Sequence, residues 1–330
     1  MSAHIDPLGT DADIVSDERR PTAGPVAVLP ESHQLFVDAI EAGGGTVAPL
    51  SDETRGVVWL TASLPDQLRA VLDEHPAIEW VQLPWAGVDA FSDLIAGYAD
   101  TPLPLWTSAK GAYSEPVAEH ALALTLALLR SLPQKAHATS WATSEVGISL
   151  YGRNVVIVGA GGIAVEIMRL LAPFRVTVTI VRRSSTPLPG ADRTVAAADL
   201  LEVLPDADVV ILAAASTNDT AKMFGAAEFA AMKRSAVLVN IARGALVDTD
   251  ALVAALAAGE IEGAGLDVTA PEPLPDGHPL WNEPRCIITS HSADTKDMTE
   301  PLLAGRITAN VRALLDTGRF VGVVDTRAGY

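Results

Sequence analysis

The sequence predicts an α/β protein made of two Rossmann-like, doubly wound domains with parallel sheets. Two observations lead to this prediction. Short β-rich runs alternate with helical patterns almost throughout the chain, an order typical of parallel strands joined by crossover helices. The length of 330 residues is enough for two domains, and an apolar content of 49% allows each to bury a core.

The first block of the chain alternates candidate strands with helical patterns. The strands are expected at 26–29, 46–49, 56–60 and 79–83. The segment EAGGGT (41–46) follows a helix and leads into a strand, the reverse of the order in a phosphate-binding turn. It is therefore interpreted as a helix stop. Residues 1–22 are expected to form a disordered acidic tail.

From residue 153 onwards the pattern becomes regular and predicts a single six-stranded doubly wound sheet. Its strands are expected at 154–160, 176–181, 208–214, 236–242, 263–268 and 286–290. Between the two blocks, residues 101–108 are interpreted as a connection and 114–130 as a long apolar helix. A last helix, about 296–316, is expected to return to the first domain. The predicted domains are thus 23–103 with 296–330, for the substrate, and 104–295, for a dinucleotide.

Charge and composition exclude several classes of partner. The net charge is 23 − 41 = −18, which repels phosphate backbones and argues against nucleic-acid binding. The most apolar segment, 121–130, is far shorter than the roughly 20 residues that span a bilayer, so no membrane partner is expected. The single cysteine, Cys286, suits a reducing cytoplasm, and the N-terminus lacks the pattern of a signal peptide.

A glycine-rich turn directly follows the first strand of the regular block. In VVIVGAGGIA, Gly159, Gly161 and Ala164 have the spacing G-x-G-x-x-A. Gly159 permits the tight turn, Gly161 lets the backbone approach a pyrophosphate, and Ala164 lets the helix pack closely on the strand. The strand–loop–helix context favours a dinucleotide site, which would include Gly162 and Ile163, over a plain turn.

The next strand ends without the acid that normally holds the adenosine ribose of NAD. About 20 residues after the fingerprint, TIVRRSSTP (179–187) has Arg182, Arg183 and Ser184 instead. A guanidinium pairs well with phosphate oxygens, so this segment predicts a site for the 2′-phosphate, with NADP(H) preferred and NAD(H) possible. The alternative is that the two arginines are merely solvated.

Three ionisable residues lie at the ends of three successive predicted strands: Arg243 follows the fourth, Asp267 is near the end of the fifth, and His291 follows the sixth. Ligands bind at the carboxyl ends of such strands, so these side chains should face one crevice. Glu272 lies in the segment 271–284, which five prolines stiffen. Taken singly, the three could be a strand-end cation, a turn cap and a buried ring. Together, beside a nucleotide fingerprint, they favour a functional site.

The residue types of this set suit the reduction of a 2-keto acid. A guanidinium such as that of Arg243 can hold a carboxylate and polarise a neighbouring carbonyl. A histidine paired with a carboxylate can act as a general acid near neutral pH. NAD(P)H would be the hydride source, and no metal is needed.

Several motifs resemble the signature of the D-isomer-specific 2-hydroxyacid dehydrogenase family. These are NIARGALVD, GAGLDV, EPLP, HPLW and ITSH, together with VGAGGIA and PVAEHALALTLALLR. The resemblance implies an active site in the cleft between the two domains. It implies that Arg243 binds the substrate carboxylate and carbonyl, that His291 donates the proton and that Glu272 pairs with His291. Asp267 would hold the nicotinamide end of the cofactor.

The resemblance also extends to the first domain and to assembly. PWAGVD (84–89) matches a family loop, which implies that the backbone N–H groups of Ala86 and Gly87 receive the substrate carboxylate. Trp85 would help to close the pocket, with ordinary packing as the alternative. Ala242 is assigned to the cofactor site. A homodimer is expected through the helix around 115–130.

Within the family, the step of 19 residues from Glu272 to His291 and the VRRSS segment look most like NADPH-linked glyoxylate/hydroxypyruvate reductases. Ser290 departs from the pattern because it replaces the proline that usually precedes the histidine. The leading hypothesis is a cytoplasmic, NADPH-preferring reductase of glyoxylate or hydroxypyruvate. The alternatives are a nucleotide-sensing corepressor on the same scaffold and a dehydrogenase of larger 2-keto acids. His120 is interpreted as a packing or interface residue, and Cys286 as a buried strand residue.

Overall fold

The computed structural model describes residues 12–141 and 145–327, and the chain forms two compact units. The first unit comprises the described residues up to Tyr113 and those from Thr295 onwards. The second comprises the described residues of Ser114–Asp294. The predicted boundaries were 103/104 and 295/296. The assignment of substrate and dinucleotide roles to the two units stays a prediction.

The strands of the described residues are, in chain order, β1 (Asp13–Ile14), β2 (Val26–Leu29), β3 (Gly56–Trp59), β4 (Trp80–Gln82), β5 (Leu105–Thr107), β6 (Asn154–Val158), β7 (Thr177–Arg182), β8 (Arg193–Ala196), β9 (Val209–Leu212), β10 (Val237–Asn240), β11 (Gly263–Leu266), β12 (Cys286–Ile288) and β13 (Arg319–Phe320). The α-helices are α1 (Gln34–Ala42), α2 (Pro65–Glu74), α3 (Ser92–Ala96), α4 (Ser114–Leu129), α5 (Leu132–Ala136), α6 (Gly162–Leu171), α7 (Leu200–Val203), α8 (Ala226–Ala231), α9 (Thr249–Ala258) and α10 (Lys296–Arg312). No helix within the described ranges is both long and apolar enough to cross a bilayer.

The described part of the first unit contains a parallel sheet of four strands in the order β2-β3-β4-β5. Its apolar strand residues pack against α2 and α3 in one core that includes the fully buried Trp59 and Trp106. Helix α10 returns to this unit and packs on α1, where the Thr308 hydroxyl donates to the carbonyl of Ala39. The predicted return of the last helix is confirmed.

Two strand predictions in the first unit are wrong. Residues 46–49 do not form a strand: Val47 makes a single parallel bridge to Val26, and Pro49 cannot donate a hydrogen bond to extend the pairing. Residues 101–108 are not merely a connection, because they contain β5. The prolines of this segment precede the paired residues, and burial of Leu105 and Trp106 holds the strand against β4.

The N-terminal residues that the structure describes differ from the disordered tail predicted for residues 1–22. Residues 1–11 lie outside the described part of the chain. Beyond them, β1 pairs antiparallel with β13, and the side chain of Val15 is buried. The N–H of Val15 donates to the carbonyl of Gly318. A short apolar contact and a strand pair therefore fasten this segment to the C-terminal part of the same unit.

In the described part of the second unit, the sheet is parallel and has seven strands in the order β12-β11-β10-β9-β6-β7-β8. The chain order reverses between β6 and β9, which is the switch point of a doubly wound sheet. Six strands were predicted at the observed places, but β8 was missed. It is an edge strand of four residues, of which Val195 alone is buried, so its apolar pattern is weak.

Candidate functional site

The glycine-rich turn between β6 and α6 has the shape that a dinucleotide pyrophosphate requires. Gly159 has φ of +121°, and a Cβ atom there would lie 2.4 Å from the carbonyl oxygen of Ala213, so only glycine fits. A Cβ atom at Gly161 would meet none of the described residues beyond its chain neighbours within 4 Å. Helix α6 begins at Gly162, with Ile163 half-buried in its first turn, and its leading N–H groups suit an anion. The residues of this turn therefore fit the pyrophosphate of a dinucleotide.

The end of β7 carries the candidate 2′-phosphate clamp. Arg182, the last residue of the strand, pairs in register with Ala196 of β8 and is half-buried. Arg183 and Ser184 follow and are exposed, and the Ser184 hydroxyl donates to Thr186 Oγ1 at 3.2 Å. Two guanidinium groups and a hydroxyl thus lie at the end of the strand that neighbours β6. An NAD site would normally have an acidic residue there, which holds the adenosine ribose.

A buried asparagine at the end of β10 orders the segment that carries Arg243. The amide nitrogen of Asn240 donates to the carbonyl of Arg243 at 2.9 Å, and its amide oxygen accepts from the N–H of Ala242 at 3.1 Å. Ala242 is buried, and its carbonyl accepts from the Arg243 guanidinium at 2.8 Å. Asn240 is a candidate functional residue that could have been found from the sequence, because a polar residue that ends an apolar strand is a visible signal.

Asp267 follows β11, and its carboxylate is almost completely buried, with 2% exposure. Its Oδ1 atom accepts from the hydroxyl of Thr289 at 2.6 Å and from the N–H of Ser292 at 2.8 Å. Its Oδ2 atom accepts from the N–H of Ala293 at 3.2 Å, and its backbone carbonyl accepts from the N–H of His291. Asp267 therefore supports the turn after β12; its contact with a nicotinamide stays a prediction.

The predicted pair of His291 and Glu272 is present. The distance between His291 Nδ1 and Glu272 Oε1 is 2.6 Å, and both side chains are about half exposed, 50% and 42%. A carboxylate can only accept, so the hydrogen bond runs from Nδ1–H of His291 to Glu272. Glu272 Oε2 also accepts a long hydrogen bond, 3.4 Å, from the N–H of Thr269, which orients the carboxylate.

The backbone of the turn that bears the histidine is strained. Ser290 and His291 have φ of +51° and +54°, in the left-handed region that L residues seldom adopt. Each such residue costs on the order of 1–3 kcal/mol and persists when its surroundings hold it. A proline could not adopt the conformation of Ser290, since its ring fixes φ near −65°. The departure of Ser290 from the family pattern thus has a backbone reason.

The second unit brings the predicted charged residues together around one further carboxyl. Burial is the main cause that raises the pKa of Asp294 above its ordinary value. Smaller influences come from three predicted site residues: His291 and Arg243 lower this pKa, and Asp267 raises it. His291, Arg243 and Asp267 are thus each near enough to Asp294 to act on its carboxyl group. Asp294 was not singled out from the sequence.

The predicted carboxylate-binding loop lies in the first unit, just after β4. Trp85, Ala86 and Gly87 are each half-buried. The Tyr113 hydroxyl donates to the carbonyl of Pro84 at 2.5 Å, and its ring meets that of Trp85 edge-on with centroids 5.8 Å apart. Trp85 therefore has a packing partner in its own unit, and its role toward a substrate stays a prediction.

A contact between two side chains of the second unit links α4 to the residue that follows β12. His120 on α4 places Nε2 2.9 Å from Thr289 Oγ1. Thr289 directly follows β12 and could have been noticed as a polar residue at a strand end, whereas nothing in the sequence links it to His120. Cys286, within β12, is partly buried, and burial raises the pKa of its thiol to about 12.

Comparison with known proteins identifies the relatives of this fold and site. Residues 122–293 match the family described as D-isomer specific 2-hydroxyacid dehydrogenase, NAD binding domain. Glyoxylate/hydroxypyruvate reductase B of Citrobacter koseri is 34% identical over 232 residues, 67% of this chain and 70% of the relative. An uncharacterized protein in the proB 3′ region of Corynebacterium melassecola is 39% identical over 298 residues, 88% of this chain and 95% of the relative.

A solved structure agrees with these matches. The D-isomer specific 2-hydroxyacid dehydrogenase of Xanthobacter autotrophicus Py2, in complex with NADPH and MES, is 25% identical. It superposes with a TM-score of 0.78 over 94% of this chain and 100% of the other. The family match, the two relatives and the shared fold lead to one conclusion. This chain belongs to the D-isomer specific 2-hydroxyacid dehydrogenase family and is an oxidoreductase that acts on the CH–OH group of its donors.

Proposed function

We propose that this protein reduces small 2-keto acids to D-2-hydroxy acids, glyoxylate or hydroxypyruvate first, and prefers NADPH to NADH. The observation that carries the proposal is the contact of 2.6 Å between His291 Nδ1 and Glu272 Oε1. Arg243 follows β10 of the same sheet and, like His291, acts on the pKa of Asp294. The glyoxylate/hydroxypyruvate reductase that resembles this chain supports the substrate class.

The chain's own residues would divide the work as follows. When bound, a nicotinamide cofactor supplies the hydride. Arg243 holds the substrate carboxylate and polarises the carbonyl group. Glu272 fixes the imidazole of His291, so that Nε2 delivers a proton to the carbonyl oxygen as charge develops there. The backbone N–H groups of Ala86 and Gly87 are proposed as further donors to the carboxylate.

A steady-state panel of 2-keto acids tests the function. Glyoxylate, hydroxypyruvate, and branched and aromatic 2-keto acids would each be assayed with NADPH and with NADH. We expect the highest kcat/KM for glyoxylate or hydroxypyruvate with NADPH. A higher value for the bulky acids would favour the dehydrogenase of larger substrates. Nucleotide binding without turnover of any acid would favour the sensor or corepressor.

The cofactor preference is assigned to Arg182 and Arg183 at the end of β7. Arg182→Ala is expected to raise the Kd for NADPH about 10-fold or more, because a bidentate, charge-assisted contact with the 2′-phosphate is lost. The Kd for NADH should change by less than about twofold, since NADH lacks that phosphate. Fluorescence titration with both nucleotides measures this. Arg193→Ala, an exposed arginine at the start of β8, is the matched control. An unchanged Kd for NADPH would contradict the clamp.

We also propose a homodimer, in which the segment after α4, and not α4 itself, forms the contact. Much of α4 is buried within its own unit, where it packs on α6 and β10, so it has less free apolar surface than its sequence implied. The segment after it exposes large apolar side chains: Leu132 at 50%, Trp141 at 95% and Val146 at 51%. Light scattering at micromolar concentration should give twice the mass of 34.4 kDa. Trp141→Ser should weaken the dimer, and a monomeric wild type would contradict it.

A further inference from the structure

We propose that His120 is a positioning residue for His291 and acts through the side chains of Thr289 and Asp267. His120 was interpreted from the sequence as a packing or interface residue. In the structure it lies on α4, half-buried, 169 positions away from Thr289 in the chain. The inference rests on the general-acid role proposed for His291, and it assigns to the same site a support that neither the substrate nor the cofactor would touch.

The direction of each hydrogen bond between His120, Thr289 and Asp267 follows from the number of protons that each group can donate. Thr289 Oγ1 lies 2.6 Å from Asp267 Oδ1 and 2.9 Å from His120 Nε2. A threonine hydroxyl has one proton, and a carboxylate can only accept. The hydroxyl proton therefore points to Asp267, and Nε2–H of His120 must donate to the hydroxyl oxygen. His120 Nε2 is also 3.5 Å from Asp267 Oδ1, so the imidazole faces the carboxylate as well.

The hydrogen bonds that begin at His120 lead to the turn that carries His291. The same Asp267 carboxylate accepts from the N–H groups of Ser292 and Ala293, which follow His291 directly. Thr289 precedes the two residues in the left-handed conformation, Ser290 and His291. The strained turn is thus fastened on both sides to one carboxylate, and its orientation depends on the hydrogen bonds that this carboxylate makes.

His120 completes the arrangement from a second element. Without the N–H of His120, Thr289 could turn its hydroxyl away, and Oδ1 of Asp267 would then keep the hydrogen bond from the N–H of Ser292. In a network of hydrogen bonds between buried groups, each hydrogen bond strengthens the others, so the loss of one weakens those that remain. The expected result is a displaced His291 imidazole, not a loss of the fold.

Histidine ring NMR tests this directly. The chain has seven histidines, and the ring signals of His291 are assigned by their disappearance in His291→Ala. His120→Phe keeps a flat ring but removes the N–H, and Thr289→Val keeps the shape but removes the hydroxyl. Both are expected to displace the ring signals of His291. His33→Phe, the same change at an exposed histidine before α1 in the other unit, should leave them in place.

Kinetics provides the second readout. Both variants should lower kcat about tenfold or more, because a shift of the order of 1 Å at a reacting group has such effects. The KM for the keto acid should stay within about twofold, since neither His120 nor Thr289 is proposed to touch the keto acid. A purely structural role would instead lower the thermal midpoint and change kcat and KM together.

The outcomes separate this inference from the function on which it rests. If the wild type reduces no 2-keto acid, the proposed function fails, while the NMR signals still report whether His120 positions His291. If the signals of His291 are unchanged in Thr289→Val, the inference is overturned, even where His120→Phe does not fold. Displaced signals in both His120→Phe and Thr289→Val, with unchanged signals in His33→Phe, support it.

Discussion

Replacement of His291 by alanine is expected to lower kcat about 10²–10⁴-fold, the range that a general acid contributes. The imidazole is held by Glu272 at 2.6 Å, and its Nε2 atom is proposed to protonate the carbonyl oxygen. Alanine removes this donor without adding bulk. Stopped-flow and steady-state rates with glyoxylate or hydroxypyruvate and NADPH measure the loss.

The binding of the nucleotide serves as the internal control for this variant. The glycine turn after β6 and the arginines after β7 are separate from the turn of His291, so the Kd for NADPH should change by less than about twofold. His278→Ala, a histidine of the proline-rich segment whose Nδ1 accepts from the N–H of Leu280, provides a matched comparison. Turnover in His291→Ala equal to that of the wild type would refute the assignment.

Arg306→Met is expected to destabilise the first unit by about 3 kcal/mol, which corresponds to a fall of about 6–12 °C in its thermal midpoint. The side chain of Arg306 on α10 is completely buried, and its guanidinium donates to the carbonyls of Ser108 and Lys110 at 2.8 and 3.0 Å. Gly322 lies against it so closely that a Cβ atom there would be 2.3 Å from Nη1. Methionine fills the space but leaves the buried carbonyls without this donor.

Arg312→Met is the matched control on the same helix. Arg312 also donates to a backbone carbonyl, that of Ala42 at 3.3 Å, but its side chain is exposed, so water can replace the contact. The thermal midpoint of Arg312→Met should fall by less than about 2 °C. Calorimetry measures the thermal midpoint of each variant. Equal shifts for Arg306→Met and Arg312→Met would show that burial of the guanidinium does not matter.

The parts of the fold that could be predicted from the sequence are those with a local signal. The parallel strands of the second unit are continuous apolar runs, and Gly159 and Gly161 have a spacing that one kind of turn requires. Arg243, Asp267 and His291 could be placed together because parallel strands end at one edge of a sheet. The bond between Glu272 and His291 confirms the pairing that the resemblance implied.

The rest depends on contacts between distant residues, which leave little trace in the pattern. Strand β8 exists because it pairs with β7, and β5 because burial of its side chains outweighs the nearby prolines. Asp267 illustrates the same limit in the site. Its position at a strand end was predictable, but its bonds to Thr289, Ser292 and Ala293 follow from the path of the turn after β12.

The buried thiol of Cys286 makes this protein convenient for site-directed labelling. At pH 7 a thiol with a pKa of about 12 is ionised in about one molecule in 10⁵, so maleimides and nitroxide reagents should leave it unmodified. The sequence contains no other cysteine. A cysteine introduced at an exposed position would therefore be the single reactive thiol of the wild-type background. Pairs of such positions, one in each compact unit, would allow the distance between the units to be followed as nucleotide and keto acid are added.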